Sequence, residues 1–231
     1  MPPSPSEPLG NPRYPGRTSS NGPNWVGFLT TKYNASLIQT YNLASSGATV
    51  DSALVRPFWP TVVPLKDQVR KQFVPVYTPP GQNSASPLWT SDNSLFAIWI
   101  GINDVGMTYN EGENISAPLY SKIVGEYRGS VDQLYMSGAR NFVFLTVPPV
   151  DRSPVTAGQG RLAQDMERSS ILTFNRLVGD MVGEAKGHYK DINAWIYDTY
   201  RVFNEVLDDP KAYAQTSLYK NTTAYCGAYA K

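Results

Sequence analysis

The sequence predicts an α/β domain built on a mostly parallel sheet. Two runs carry that expectation, Leu95 to Ile100 (LFAIWI) and Asn141 to Val147 (NFVFLTV). Strands apolar on both faces belong inside a parallel sheet rather than at its edge. Around them, stretches with apolar residues at helical spacing alternate with strand-like ones, as βα units require. At 231 residues the chain is long enough to bury one substantial core, so a single domain over 1–231 is expected.

Taken in order, residues 1–20 are rich in Pro, Ser and Gly and read as loop. Asn21-Gly22-Pro23 opens a short helix through about Tyr33, with the proline in its first turn and Trp25, Phe28 and Leu29 on one face. Ala35 to Leu43 (ASLIQTYNL) alternates and predicts a strand. Thr61 to Val74 predicts a helix, with Val62, Leu65, Val69 and Phe73 inward and Lys66, Asp67, Arg70 and Lys71 on the other side. After the strand 95–100, a long helix is expected from about Ala117 to Met136, ended by Gly138. The strand 141–147 is stopped by Pro148-Pro149. Then follow a helix from about Arg161 to Ala185, a strand from Ala194 to Tyr197, a short helix from Thr199 to Leu207 and an irregular tail over 208–231.

Charge and composition narrow the partners. Twenty basic and nineteen acidic residues, without a basic cluster, leave no electrostatic footprint for nucleic acid or an anionic membrane. No apolar run is long enough to span a bilayer, and MPPSPSEPLG lacks the charged and apolar regions of a signal peptide. Cys226 is the single cysteine, either a lone thiol or half of a disulfide whose partner lies beyond Lys231. The sequons at Asn34, Asn114 and Asn221 number little more than chance provides.

In parallel α/β folds, reactive groups lie on loops at the C-terminal ends of strands. Two loops qualify: Ala44-Ser45-Ser46-Gly47-Ala48 after the strand ending at Leu43, and Gly101-Ile102-Asn103-Asp104 after the strand ending at Ile100. Gly47 lets a backbone N–H face a ligand without a side chain in the way, and Asn103 presents a neutral NH₂ donor. Together they suit an oxyanion hole, since ester cleavage builds negative charge on the carbonyl oxygen and a preorganised donor is worth about 10²–10³ in rate.

These residues resemble those of the SGNH or GDSL hydrolases, and within them the fungal acetyl esterases of carbohydrate esterase family sixteen. The resemblance rests on NPRYPGRTSSNGPNW (11–25), YNLASSGAT (41–49), LKDQV (65–69), WIGINDVG (99–106) and KNTTAYC (220–226). It implies a three-layer α/β/α sandwich, flavodoxin-like, on a five-stranded parallel sheet. It also implies secretion, hydrolysis of a small or carbohydrate acyl ester through a serine acyl-enzyme, and no cofactor or metal. Gly47 and Asn103 match its oxyanion donors, with Gly101 and Asp104 shaping the turn that aims Asn103.

The remaining family motifs find no match. The chain contains no Gly-Asp-Ser nucleophile motif and no Asp-x-x-His, and its sole histidine, His188, reads as a solvated loop residue at the opposite end of the sheet. Ser45 or Ser46 as nucleophile lacks a base to activate it. Asp104 with Asp51 as an acid/base pair of the glycosidase kind competes with a bracing role for Asp104. Tyr14 and Trp25 are expected in the core rather than against sugar rings. The resemblance thus implies a chain truncated at both ends and lacking the first, central strand. The segments 35–43 and 95–100 then either pair directly or each face an unpaired row of backbone groups. A glycan-binding module that keeps the esterase cleft without catalysis is the alternative.

Overall fold

The computed structural model describes residues 3–10, 18, 22–78 and 89–225, apart from the side chains of 113–115. Cys226 and Tyr14 lie outside the described residues. Helix α1 is Trp25–Thr31, capped by Asn24, whose side chain accepts from Gly27 N. Pro23 therefore precedes the cap instead of sitting in the first turn, because the Asn side chain satisfies an orphan N–H that proline cannot present.

The expected strand over 35–43 does not form. That segment is irregular and mostly exposed, tied down by Thr40 N donating to Pro8 O and by a contact between the Thr30 and Thr40 hydroxyls. Its alternation is real, but a strand exists only by pairing, and no partner edge reaches it among the described residues. Leu37 and Ile38 are left exposed.

Helix α2 runs from Leu65 to Tyr77 in three pieces: a turn at Leu65–Asp67, a π-helical stretch at Gln68–Phe73 and a last turn at Val74–Tyr77. It starts four residues later than the spacing suggests because buried Pro64 is extended and caps it. It ends three residues later. Pro75 supplies no N–H, and the π stretch just ahead of it absorbs the lost bond.

The sheet comprises β1 (Phe96–Trp99), β2 (Asn141–Leu145) and β3 (Asn193–Tyr197), parallel and in the order β1-β2-β3. Phe142 lies between Phe96 and Ala194, and Phe144 between Ile98 and Ile196. Among the described residues the sheet has three strands, not the five implied by the resemblance, and β1 is an edge rather than a central strand. Its apolar pattern survives because one face packs into the core and Trp99 on the other meets Trp25 and Phe203, even though one hydrogen-bonding edge is open among the described residues.

Between the strands come α3 (Ile102–Gly106), α4 (Glu113–Met136), α5 (Pro154–Ala157) and α6 (Arg161–His188), and after β3 comes α7 (Thr199–Asp208). Helix α4 begins four residues before the expected start, with Pro118 inside it, and Gly138 at φ +106 closes it as expected. The short helices α3 and α5, and 3₁₀ turns at Tyr109–Glu111, Val150–Arg152 and Pro210–Ala212, occupy stretches that carry no helical periodicity. From 213 to 225 the chain is turn and coil.

One sheet face, made by Phe96, Ile98, Phe142, Phe144 and Ala194, packs on Tyr127 and Val131 of α4 and on Phe174, Val178 and Met181 of α6. This is the core. On the other face Trp99 meets Trp25 of α1 and Phe203 of α7 edge-on at 6.0 and 6.4 Å. Trp25 is therefore a packing residue, as expected. The rest of that face is thinly covered, and Trp195 and Tyr197 remain about half exposed.

Candidate active site

Two loops meet at the C-terminal end of the sheet. The first, Ser45–Val50, turns at Gly47, whose φ of +82 favours glycine. Gly47 N–H donates no hydrogen bond among the described residues, and the glycine is half-buried. The second leaves β1 through Gly101, at φ +113, into α3. A Cβ on Gly101 would lie 2.3 Å from Phe174 Cε1 and 2.9 Å from Val147 Cγ2. Glycine here lets α3 start directly on the core, which aims the next side chains back at the first loop.

Asn103 and Asp104 do the joining. Asn103 Nδ2 donates to Ala48 O at 2.9 Å, leaving its second N–H for another acceptor. Val50 N donates to both oxygens of Asp104, at 3.1 and 3.2 Å. The first loop is held from its other side as well. Thr49 O accepts from Leu65 N, Val50 O from Lys66 N, and Thr49 Oγ1 donates to Val55 O. All four residues singled out in the sequence, Gly47, Gly101, Asn103 and Asp104, thus lie in one clamped unit.

The carboxylates here act as braces. Asp104 is fully buried. Burial pushes its carboxyl up to about 7, against the opposing pull of the Val50 N–H. Burial also raises the Asp51 carboxyl, but hydrogen bonds from Lys66 Nζ at 2.7 Å and Ala53 N at 2.9 Å outweigh it, so the group stays below its ordinary value. Lys66 is shared with Glu126 at 2.8 Å. Neither Asp is presented to a substrate as an acid/base pair would be. Ser45 Oγ accepts from Val63 N at 3.3 Å, a bond that ties it to the loop before α2.

Asp104 gives stability a pH dependence of definite sign. Its folded pKa lies above its unfolded value of 3.8, so the folded chain holds the proton more tightly. Its contribution is full below about pH 4, falls by up to roughly 1.4 kcal/mol per pH unit as the pH rises toward 7, and is flat above. Asp104→Asn keeps an oxygen for Val50 N, and urea melts from pH 4 to 8 should show wild type losing ground to it across that interval. A constant difference would refute the buried, titrating Asp104.

Gly101→Ala is expected to cost roughly 3 kcal/mol, since it adds a steric clash to a left-handed backbone. Denaturant melts should register it as a drop in midpoint with the slope unchanged.

His188 closes α6 as its last residue, exposed, with its ring 4.6 Å from Tyr189. It stands on a helix end and not in a loop, because α6 runs three residues further than its apolar spacing. Fourteen residues of helix separate it from Phe174 beside Gly101, a rise of about 21 Å. Its neighbour segment leads to Asn193, whose N donates to Arg140 O at the N-terminal end of the sheet. The chain's only histidine is therefore at the far end from the clamped loops.

Sequence reasoning missed one buried cluster on the loop after β2. Asp151 is fully buried, with Oδ2 accepting from Arg168 Nε at 3.1 Å and Oδ1 without a partner among the described residues. Glu167 accepts from Thr156 Oγ1 at 2.7 Å, and burial raises its carboxyl. The signal was the Asp directly after a buried strand and its prolines. Among the described residues, no His, Cys, Asp and Glu come together in a group able to hold a metal, and no helix is long and apolar enough to cross a membrane.

Comparison with known proteins bears on this geometry. The GDSL-like lipase/acylhydrolase profile matches residues 9–222. The chain belongs to that family. It is 39% identical over 218 residues to an acetylesterase of Thermothelomyces thermophilus, covering 91% of this chain and 68% of the relative. A thermolabile hemolysin of Vibrio parahaemolyticus is 24% identical over 194 residues, and a GDSL esterase/lipase of Arabidopsis thaliana 22% over 144. The chain spans about two fifths of the length of each of these two. GDSL-like acylhydrolases are ester hydrolases, so the fold and family expectations hold: an α/β domain with a parallel sheet, of esterase lineage.

Proposed function

We propose that this GDSL-like chain carries the oxyanion-stabilising half of a serine ester hydrolase for acetyl or other small acyl esters, with carbohydrate esters as the preferred class and secretion as its route. One observation carries the reading: Asn103 and Gly47 N–H donors share a unit clamped at the C-terminal end of the sheet by Asp104.

When a serine hydroxyl attacks an ester carbonyl, the carbonyl π pair moves onto oxygen and a tetrahedral oxyanion forms. In this reading the second Asn103 N–H and the Gly47 N–H receive that charge. The Ala48 carbonyl fixes the amide, so no reorganisation is needed at the moment of reaction. Collapse of the oxyanion expels the alcohol, and water repeats the sequence on the acyl-enzyme. Attack requires a serine and a base that takes its proton. His188, about 21 Å along α6 from Phe174 beside Gly101, is too far off to be that base.

Joining the chain to a Gly-Asp-Ser strand and turn ahead of it and an Asp-x-x-His loop behind it tests the reading. Acetate release from an acetylated xylo-oligosaccharide is the expected result. A folded protein so completed that releases none contradicts it, and would favour a non-catalytic glycan-binding module.

A further inference from the structure

We propose that Tyr120 is a positioning residue for Asn103, setting through Thr108 and Phe174 where the Asn103 amide meets the reacting carbonyl. The inference rests on the oxyanion reading of Asn103 and extends it to a buried side chain of α4. Helix α3 is five residues long, far too short to hold an orientation by its own backbone bonds. Its direction is set by what grips its two ends.

Tyr120 reaches both ends from a completely buried position. At the start of α3 its ring meets Phe174 edge-on, with centroids 5.8 Å apart, and Phe174 fills the space that a Cβ on Gly101 would need. At the other end its hydroxyl lies 3.1 Å from Thr108 Oγ1. Thr108 replaces a backbone bond with a side-chain one. Its N–H donates to Val105 O, three residues back, so the Asp104 carbonyl takes its hydrogen bond from the Thr108 hydroxyl at 2.7 Å instead.

That donation fixes the direction of a chain of hydroxyls. With its proton given to Asp104 O, Thr108 Oγ1 can only accept, so Tyr120 donates to it. Ser170 of α6 bonds the Tyr120 oxygen in turn. Burial raises the Tyr120 hydroxyl above its ordinary value, so its proton stays in place to be donated.

Apolar side chains would have filled this space without directional bonds. Buried hydroxyls belong in a core when each is satisfied, and a satisfied chain of them holds the elements it joins in one arrangement. Here those elements are α6, α4 and α3, and the last link is the carbonyl of the residue after Asn103. The Asn103 amide has its own tie to Ala48 O, but its position moves with α3. In a preorganised site a misplacement of about 1 Å can cost on the order of 10² in rate, so cutting this chain reaches the reaction through Asn103.

Tyr120→Phe and Thr108→Val each cut the chain while keeping the shape of the side chain. In the enzyme completed by its Gly-Asp-Ser and Asp-x-x-His segments, each should lower kcat roughly tenfold on an acetylated xylo-oligosaccharide, with KM within about twofold of the parent. Thr108→Ser, which keeps the hydroxyl, should recover most of the loss seen in Thr108→Val. The effect should vanish once its target is gone: Tyr120→Phe added to Asn103→Ala should slow the enzyme no further. Tyr127→Phe is the control, because that buried hydroxyl of α4 has no partner among the described residues and its removal should leave kcat unchanged. A wild-type kcat in Tyr120→Phe, or a comparable loss that persists on top of Asn103→Ala, overturns the proposal.

The 231-residue chain supplies a readout that needs no turnover. The side-chain NH₂ signals of Asn103, assigned by their disappearance in Asn103→Ala, should exchange with solvent at least about tenfold faster in Tyr120→Phe and at the wild-type rate in Tyr127→Phe. Unchanged exchange in Tyr120→Phe would also overturn the proposal. Failure of the oxyanion reading is separable from it: faster exchange in Tyr120→Phe together with a kcat indifferent to Asn103→Ala upholds the positioning and removes only the catalytic role of its target.

Discussion

A fluorophosphonate probe should leave the 231-residue chain unlabelled, and a chromogenic acetate ester should be cleaved no faster than background. The reason is chemical. A serine hydroxyl is a poor nucleophile until a neighbouring base takes its proton, and the only histidine in the chain stands exposed at the C-terminal end of α6, at the far end of the sheet. Removing a Ser–His unit costs on the order of 10⁶ in rate, while an oxyanion hole alone retains about 10³–10⁴ over water. Intact-mass spectrometry after probe treatment gives the answer directly. Stoichiometric addition of one phosphonate would mean that a serine here is activated by some other group, and that the base need not come from outside the chain.

Much of this was legible in the sequence, and the parts that were not share a cause. The runs LFAIWI and NFVFLTV gave two of the three strands because a strand buried on both faces is nearly all apolar. Helices α4 and α6 followed from their spacing, and the turn at Gly138 from its glycine. Gly47, Gly101, Asn103 and Asp104 were visible as residue types suited to a turn and a donor, and the structure brings them into one unit.

What failed was everything that depends on a partner. Ala35 to Leu43 alternates like a strand, yet pairing is a property of two segments, and no segment among the described residues pairs with it. For the same reason β1 reads as central but sits at an edge. The π-helical stretch in α2 arises from a single missing N–H at Pro75, which apolar spacing does not register. The Asp after the prolines marks Asp151, but its burial and that of Glu167 are decided by what folds over them, here α6 with Arg168 and the short helix bearing Thr156.

The central claim is that Asn103 is an oxyanion donor. Its amide is held by Ala48 O with one N–H to spare, and α3 that carries it is locked by Asp104 and by the absence of a Cβ at Gly101. A donor of this kind bonds more strongly to the developing oxyanion than to the ground-state carbonyl, so its loss appears in kcat and hardly in KM. Asn103→Ala also removes the bond to Ala48 O, so Asn103→Asp serves as the companion variant. It keeps the size of the side chain but places an acceptor, and a negative charge, where the donor stood. The decisive measurement is kcat and KM for an acetylated xylo-oligosaccharide in the chain completed by Gly-Asp-Ser and Asp-x-x-His segments, with melting temperatures recorded alongside. The account predicts a fall in kcat of roughly 10²–10³ for Asn103→Ala, at least as large a fall for Asn103→Asp, and KM within about twofold of wild type. A folded variant whose kcat matches that of the parent would contradict it.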